Sequence, residues 1–277
     1  MDYSSNSDAA QRSHVTVTGA GPGAPAIVFL HGLGADQGTW RLLAPAFEDD
    51  YQVVRLDLVG AGQADADAYD RVRHGSLRGH ADDLLAVLRE LDLRDVVFVG
   101  HSVSSMIGVL AAIKEPARFG RLVLLAPSPR FVSADGYAGA FAQADMDELL
   151  AAMDGNFPGW VDGVAPLMVG RDQPELTMEL TNSFLQTNPE LARHFARVTF
   201  LCDHRLDLPF LTTPTLILQC ARDVIAPLAV GHYLHEQLSD SQLGIIDTPG
   251  HCAHLTAPAD TLAAIRRFLP APEAVLA

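Results

Sequence analysis

One short segment constrains the fold more than any other part of this chain. Residues 96–99 are apolar, residues 100–104 contain glycine and serine, and residues 105–112 are small or apolar. This order predicts a buried strand, a sharp turn and a helix, with Ser102 at the apex of the turn. The usual pattern for such a turn is Gly-x-Ser-x-Gly, and Ser104 replaces the last glycine here.

The rest of the chain alternates between apolar runs and helical patterns. Apolar runs that predict buried strands cover residues 26–30, 53–58, 96–99, 121–126, 214–220 and 243–247. Helical spacing of apolar residues is clearest at residues 77–91, directly before the serine-containing segment. The alternation predicts an α/β fold in which helices flank a mostly parallel central sheet.

The alternation stops at Pro127 and resumes in the last quarter of the chain. Between these points, residues 146–153, 175–185 and 189–201 have helical patterns. We expect this insertion to be a lid over Ser102, because open α/β sheets bind ligands beyond the carboxyl ends of their strands. An independent helical domain fits less well, because no linker flanks the segment. The predicted division is a disordered tail over 1–12, a core over 13–126 and 211–271, and a helical lid over 127–210.

Composition narrows the partners and the location. The formal net charge of −15 argues against binding to nucleic acid or to an anionic membrane surface. The three cysteines are widely spaced, so neither a disulfide framework nor a metal-binding CxxC motif is predicted. No signal peptide and no membrane-spanning segment is predicted either. We expect a cytoplasmic protein that needs no cofactor and no metal.

A serine nucleophile needs a base, a carboxylate that orients the base, and N–H donors for the developing oxyanion. In this fold class the acid and then the histidine follow the serine, each at the end of a strand. Asp223 comes directly after the strand predicted at 214–220 and is the predicted acid. Asp57 precedes the serine, and Asp247 lies only a few residues before the candidate histidine, so both fit this order less well.

His251 follows the last predicted strand and a Pro-Gly turn, and it is the predicted base. His254 is the alternative base. The two histidines could also suggest a metal site, but no second group of ligands and no HExxH motif accompanies them. His31 and His101 lie beside the same region, and we expect them to form structural hydrogen bonds because the serine needs only one base.

The oxyanion hole is predicted to consist of two backbone N–H groups. One belongs to Val103, the residue after the nucleophile. The other belongs to Leu33, in the segment 31–34, where two glycines permit a close approach of the backbone. Each of these signals is weak alone, but their order along the chain predicts a serine hydrolase.

Several segments resemble a known family. Residues 30–40, which begin Leu-His-Gly-Leu-Gly-Ala-Asp-Gln, resemble RsbQ-type bacterial hydrolases and the plant strigolactone and karrikin receptor hydrolases. Residues 100–108 resemble the corresponding turn of the plant receptors, with Ser104 included. Residues 216–221 and 250–254 resemble the RsbQ branch. The resemblance covers nearly the whole chain after residue 13.

This resemblance implies an α/β-hydrolase fold with a four-helix lid, inserted in the second half of the chain, over an apolar pocket. It places the catalytic triad at Ser102, Asp223 and His251, and the oxyanion donors at Leu33 and Val103. Trp160, Val164 and Phe200 are implied to line the pocket. Leu33 and Val164 stand where the plant receptors tend to carry phenylalanine, so we expect an enlarged or reshaped pocket.

The expected activity is hydrolysis of a small, largely apolar ester or lactone through an acyl-enzyme. The resemblance also implies a second function, that of an RsbQ-type signalling hydrolase or ligand sensor with slow turnover. Its partner in a stress-response (sigma-factor) pathway would be a PAS-domain phosphatase or another signalling protein. Carbon–carbon bond hydrolysis and a cofactor-free peroxidase reaction stay open as related chemistries, whereas a haloalkane dehalogenase would need an aspartate at the position of Ser102.

Overall fold

The computed structural model describes residues 9–170 and 172–270, and a single seven-stranded sheet organises this part of the chain. Its strands are β1 (Thr16–Gly19), β2 (Ala26–Leu30), β3 (Gln52–Leu56), β4 (Val96–His101), β5 (Phe119–Leu125), β6 (Thr215–Arg222) and β7 (Ser241–Pro249). Their order across the sheet is β1-β3-β2-β4-β5-β6-β7. β1 pairs antiparallel with β3, and all the other neighbours are parallel. The predicted fold class is confirmed.

Helices flank this sheet on both faces, and four further helices, α4 to α7, form the insertion between β5 and β6. The described residues form ten α-helices in all. They are α1 (Ala9–Arg12), α2 (Leu77–Glu90), α3 (Val103–Lys114), α4 (Gln143–Gly155), α5 (Phe157–Val169), α6 (Pro174–Gln186), α7 (Pro189–Phe200), α8 (Leu228–Gln237), α9 (Ala253–Thr256) and α10 (Pro258–Phe268). Within the described ranges, no helix has both the length and the apolar character needed to cross a bilayer.

Alternate residues of each central strand belong to two different hydrophobic cores. In β2, Val28 and Leu30 pack with residues of α2 and α3, whereas Ile27 and Phe29 pack on the other face with residues of α10. All four side chains are almost completely buried. A strand that is buried on both faces has no polar side, and this explains the continuous apolar runs in the sequence.

Four helices, α4 to α7, lie between β5 and β6, in the segment predicted as a lid. The apolar periodicity predicts α4, α6 and α7. It does not predict α5, because Gly159, Gly163 and Pro166 interrupt the apolar pattern of that helix. Only the family resemblance indicated a fourth helix here.

The prediction of a disordered tail over residues 1–12 is wrong for residues 9–12. Residues 1–8, like the predicted core boundary at residue 271, lie outside the described residues. Residues 9–12 form α1, and Ala9 is buried. The backbone N–H of Ala9 donates to Glu90 Oε2 at 2.6 Å. A carboxylate at a helix N-terminus satisfies donors that have no partner inside the helix, so it stabilises this short helix.

The close contact between β4 and α3 depends on two glycines. A Cβ atom on Gly100 would lie 2.7 Å from the carbonyl oxygen of Ser104, and a Cβ atom on Gly108 would overlap with the ring of Phe98. Phe98 is completely buried and cannot move aside. Because both glycines lack a side chain, α3 begins directly after β4 and packs against it.

Candidate active site

Ser102 lies at the turn between β4 and α3. Its backbone has φ 56° and ψ −122°, a conformation that residues other than glycine rarely adopt. Its N–H donates to the carbonyl oxygen of Leu125 at 2.8 Å, which attaches the turn to the end of β5. The side chain is therefore held at the carboxyl edge of the sheet, at the N-terminus of a helix, as the sequence predicts.

Ser104 does more than supply a small side chain at the position of the usual glycine. It is completely buried, and its hydroxyl donates to the carbonyl oxygen of His31 in the loop after β2. A glycine could not form this bond. The turn that carries Ser102 is thereby connected to the loop that carries Leu33.

Asp223 and His251 form a buried hydrogen-bonded pair. The distance from His251 Nδ1 to Asp223 Oδ2 is 2.6 Å, and both side chains are shielded from solvent. The other carboxylate oxygen accepts the backbone N–H groups of Ile225 at 2.8 Å and Ala226 at 3.0 Å. Because Nδ1–H donates to the carboxylate, Nε2 carries the free lone pair. Nε2 is buried and has no hydrogen-bond partner in the described part of the chain.

The two alternative carboxylates lie elsewhere. Asp57 is buried and accepts the backbone N–H groups of Gln37 at 2.7 Å and Gln63 at 2.9 Å, so it holds the loops after β2 and β3. Asp247 is exposed and pairs with an arginine of β6 at 3.0 Å. Neither forms a hydrogen bond or an ion pair with His251.

The backbone of His251 is fixed from two directions. Its N–H donates to the carbonyl oxygen of Met168, in α5, at 2.6 Å. Its carbonyl oxygen accepts a hydrogen bond from Nε2 of His101 at 3.0 Å. The insertion and the strand that precedes Ser102 therefore both determine where the imidazole lies. For His101, this is the structural hydrogen bond that the sequence predicts.

The remaining histidines near the site have structural partners. His31 donates from Nδ1 to the carbonyl oxygen of Gly32 at 2.8 Å and accepts at Nε2 from the N–H of Leu58 at 3.0 Å. Nε2 of His254, the alternative base, lies 2.8 Å from Thr39 Oγ1. Burial lowers the pKa of His31, and it lowers the pKa of His254 to about 3.

The two predicted oxyanion donors belong to segments that lie close to Ser102. Val103 is the first residue of α3, so its N–H has no partner within the helix. Among the described residues, the N–H of Leu33 also has no acceptor. The loop that carries Leu33 lies close to the turn, because a Cβ on Gly32 would be only 3.2 Å from the Cβ of Ser102.

Ser102 and His251 line one small cavity under α5, α6 and α7. Its volume is about 20 Å³, which is room for about one water molecule. Leu33 and the three predicted pocket residues, Trp160, Val164 and Phe200, also line it. Residues that the sequence did not indicate complete the lining, namely Phe131, Met168, Phe184, Thr199 and Ile225. No pattern along the chain connects these five residues, because separate loops and helices bring them together.

A second cavity of about 20 Å³ lies next to the first. Leu33 and Phe184 line both cavities, so these two side chains separate them. The ring of Phe184 occupies the space that a side chain on Gly34 would need. A phenylalanine of α6 therefore fills the space beside Leu33.

The sheet, the serine at the strand-to-helix turn and the acid–histidine pair together define an α/β hydrolase. Residues 25–258 match the family model for the α/β hydrolase fold, and the chain belongs to that family. It is 39% identical to the karrikin insensitive 2 receptor IA of Petunia hybrida over 257 residues, which are 92% of this chain and 94% of that protein. It is 38% identical to the strigolactone esterase D14 of Arabidopsis thaliana over 259 residues, 93% and 96% of the two chains.

A solved structure of a hydrolase has the same fold. A hydrolase from Oleispira antarctica superimposes with a TM-score of 0.91 at 37% identity, over 94% of this chain and 96% of that chain. The predicted resemblance to the plant strigolactone and karrikin receptors is confirmed.

Burial of His254 should make the stability of the fold sensitive to acid. In the unfolded chain this histidine titrates near its ordinary pKa of 6.5, whereas in the folded protein its pKa is about 3. Between these values the unfolded chain binds more protons, so the free energy of unfolding falls as the pH is lowered through this interval. In His254→Gln we expect the free energy of unfolding to fall less steeply between these two pH values. Urea unfolding at several pH values in this range measures the slope. The exposed His235→Gln is the control, and an unchanged slope in His254→Gln would contradict the prediction.

Proposed function

We propose that this protein is a serine hydrolase that cleaves a small, largely apolar ester or lactone through an acyl-enzyme. The observation that carries the proposal is the Asp223–His251 pair beside a cavity that Ser102 also lines. The unpartnered Nε2 of His251 supports its role as the base. The cytoplasm is the proposed location, which the free cysteines favour.

In this mechanism, His251 Nε2 takes the proton of the Ser102 hydroxyl while Oγ attacks the carbonyl carbon of the substrate. The N–H groups of Leu33 and Val103 stabilise the negative oxygen of the tetrahedral intermediate. Asp223 holds the correct tautomer of His251 and stabilises the imidazolium that forms. The imidazolium then protonates the leaving alcohol, and water releases the acyl group by the same steps in reverse order.

The cavity lining supports the proposed substrate class. Most of its side chains are apolar, which favours a substrate with little charge. Two buried polar atoms of this lining, Thr199 Oγ1 and Trp160 Nε1, have no partner among the described residues. Both can donate a hydrogen bond, so they favour a substrate that carries an acceptor outside the scissile ester or lactone group.

Replacing Ser102 by alanine should abolish the activity. We expect hydrolysis of p-nitrophenyl acetate to fall by about 10³-fold or more, because the variant lacks the hydroxyl that His251 activates to form the acyl-enzyme. Ser128→Ala is the matched control, since Ser128 is buried, as Ser102 is, but does not line the cavity. The Ser128 hydroxyl donates to a backbone carbonyl. Wild-type rates in folded Ser102→Ala would refute the proposal.

The volume of the cavity limits the substrates that can enter. A volume of about 20 Å³ cannot hold an ester, so side chains of the insertion must move before substrate binds. Phe184→Ala should join the two cavities and raise kcat/KM for long acyl chains over acetate by about tenfold or more. Phe184→Leu should have a smaller effect in the same direction.

The control for this prediction is Phe195→Ala. Phe195 lines only the second cavity, so its removal enlarges space that Phe184 still separates from Ser102. We expect little change in chain-length preference. An equal change in Phe184→Ala and Phe195→Ala would show that Phe184 does not limit the substrate.

The small volume of the cavity also favours a second candidate function, that of a ligand sensor with slow turnover. If the insertion must open for each substrate and product, turnover is limited by a conformational step. The relatives at 39% and 38% identity are named as a receptor and as an esterase. The partner proposed from the RsbQ resemblance is a PAS-domain phosphatase or another signalling protein of a stress response.

A sensor and a metabolic esterase should differ in their kinetics. For a sensor we expect hydrolysis of an activated ester to show a burst of about one product per protein, followed by slow steady turnover. A purified PAS-domain phosphatase should then bind only when ligand is present. Steady turnover near the typical enzyme median of about 10 s⁻¹, without a burst, would favour the metabolic esterase.

A further inference from the structure

One buried histidine outside the candidate active site has no hydrogen-bond partner on its ring. His80, in α2, is 1% exposed, and neither ring nitrogen has a partner in the described part of the chain. A neutral imidazole has one donor and one acceptor, and burying both without partners is costly. Such a group in a native fold calls for a physical explanation.

Two further metal-ligating side chains lie next to His80. One ligand atom each from His74, His80 and Asp83 lies within 4.8 Å of the other two, and all three residues are buried. His80 and Asp83 are three residues apart in α2 and share a face of the helix. His74 comes from the short 3₁₀ turn Arg73–Gly75 that precedes α2. We call these three side chains the His-His-Asp cluster.

The cluster has neighbours that can make the outer contacts usual for metal ligands. Metal-bound imidazoles usually donate their second N–H to a carbonyl or carboxylate, and metal-bound carboxylates accept further hydrogen bonds. His74 Nδ1 lies 3.0 Å from the carbonyl oxygen of Asp70, which leaves Nε2 on the side of the cluster. The second carboxylate oxygen of Asp83 accepts from Arg73. The groups for both outer contacts are therefore in place, and the contact with Asp70 needs only the tautomer that carries its proton on Nδ1.

Hydrogen bonds within the cluster give partners to the buried polar atoms of only two of the three side chains. His74 Nε2 lies 2.7 Å from Asp83 Oδ2, so these two groups satisfy each other. His80 stays unpartnered, although its ring lies 4.7 Å from the ring of His74 and 4.7 Å from that of Phe195. An ion between the three ligand atoms would give one ring nitrogen of His80 a partner, and the other ring nitrogen would keep a buried N–H without one.

We propose that the His-His-Asp cluster binds one zinc ion through His74 Nε2, Asp83 Oδ2 and a ring nitrogen of His80. Two imidazoles and a carboxylate are a ligand set that zinc favours, and a solvent molecule completes the tetrahedron. Ligand atoms about 2.0–2.1 Å from zinc lie roughly 3.3 Å apart, so the contact between His74 and Asp83 lengthens by about 0.6 Å.

Binding also moves a proton. Without the ion, His74 Nε2–H donates to Asp83, and Nδ1 accepts the backbone N–H of Asp70 at 3.0 Å. With the ion, Nε2 gives its lone pair to zinc, and Nδ1–H donates to the carbonyl oxygen of Asp70 instead. The imidazole proton of His74 moves from Nε2 to Nδ1, where the carbonyl oxygen of Asp70 accepts it, and the backbone N–H of Asp70 loses the acceptor that Nδ1 provided.

The site has a structural consequence. The cluster joins the segment before α2 to α2 itself, and the ring of His80 contacts Phe195 of α7 in the insertion. Phe195 and Tyr69, whose ring stacks on His74 at 4.6 Å, both line the second cavity. A bound ion would therefore stiffen the wall of that cavity, at a distance from Ser102 and its chemistry.

The test measures zinc directly on the full-length protein after removal of any affinity tag. After dialysis against zinc and then against metal-free buffer, elemental analysis should give about one zinc per chain. Zinc should raise the thermal unfolding midpoint, and a chelator should lower it again. Cobalt(II) should give the visible absorption of a tetrahedral site with nitrogen and oxygen ligands.

His80→Phe is the decisive variant, because it removes a ligand and places an apolar ring beside Phe195. We expect it to fold, to bind no zinc and to give no cobalt spectrum. His194→Gln is the control, since His194 is nearby and bonded to Tyr69 but is not part of the cluster. Less than a tenth of a zinc per chain in the wild type, or equal zinc binding in His80→Phe, would overturn the proposal.

Discussion

The position of Ser102 depends on how closely β4 and α3 pack. Gly100 and Gly108 leave no side chain between the strand and the helix, and the ring of Phe98 fills the space. The chain must therefore turn within one residue, and Ser102 takes the positive φ that this turn requires. The same turn leaves the first N–H groups of α3 without helical partners. One packing constraint thus places both the Ser102 hydroxyl at the apex of the turn and one of the proposed oxyanion donors.

The insertion is part of the same arrangement and does more than cover the sheet. Met168, in α5, accepts the N–H of His251, and Phe184, in α6, fills the space beside Leu33. A movement of these helices that enlarges the cavity would also act on the backbone of the histidine. Access of a substrate and the position of the base are therefore coupled by direct contacts. Such coupling suits a protein in which hydrolysis and ligand sensing share one site.

The sequence predicts the sheet and the proposed catalytic residues because their signals are local. Strands buried on both faces give unbroken apolar runs, and Asp223 and His251 each follow such a run. The apolar periodicity does not predict α5, because its glycines and its proline interrupt the pattern. Tertiary contacts stabilise the helix in spite of their low helix propensity. The hydrogen bond from Ser104 to His31 could not be predicted either, because nothing along the chain indicates which carbonyl faces that hydroxyl.

The cavity and the His-His-Asp cluster show the limit of sequence reasoning more sharply. Both depend on which side chains lack a partner, and only three-dimensional contacts decide that. His251 Nε2 and the ring of His80 present the same anomaly, a buried imidazole nitrogen without a hydrogen bond. Their surroundings separate their roles: the first shares a cavity with a serine hydroxyl, which suits a base, whereas the second faces another imidazole and a carboxylate. A base needs a proton donor within reach, and a metal ligand needs further lone pairs, so the neighbours of each nitrogen determine its chemistry.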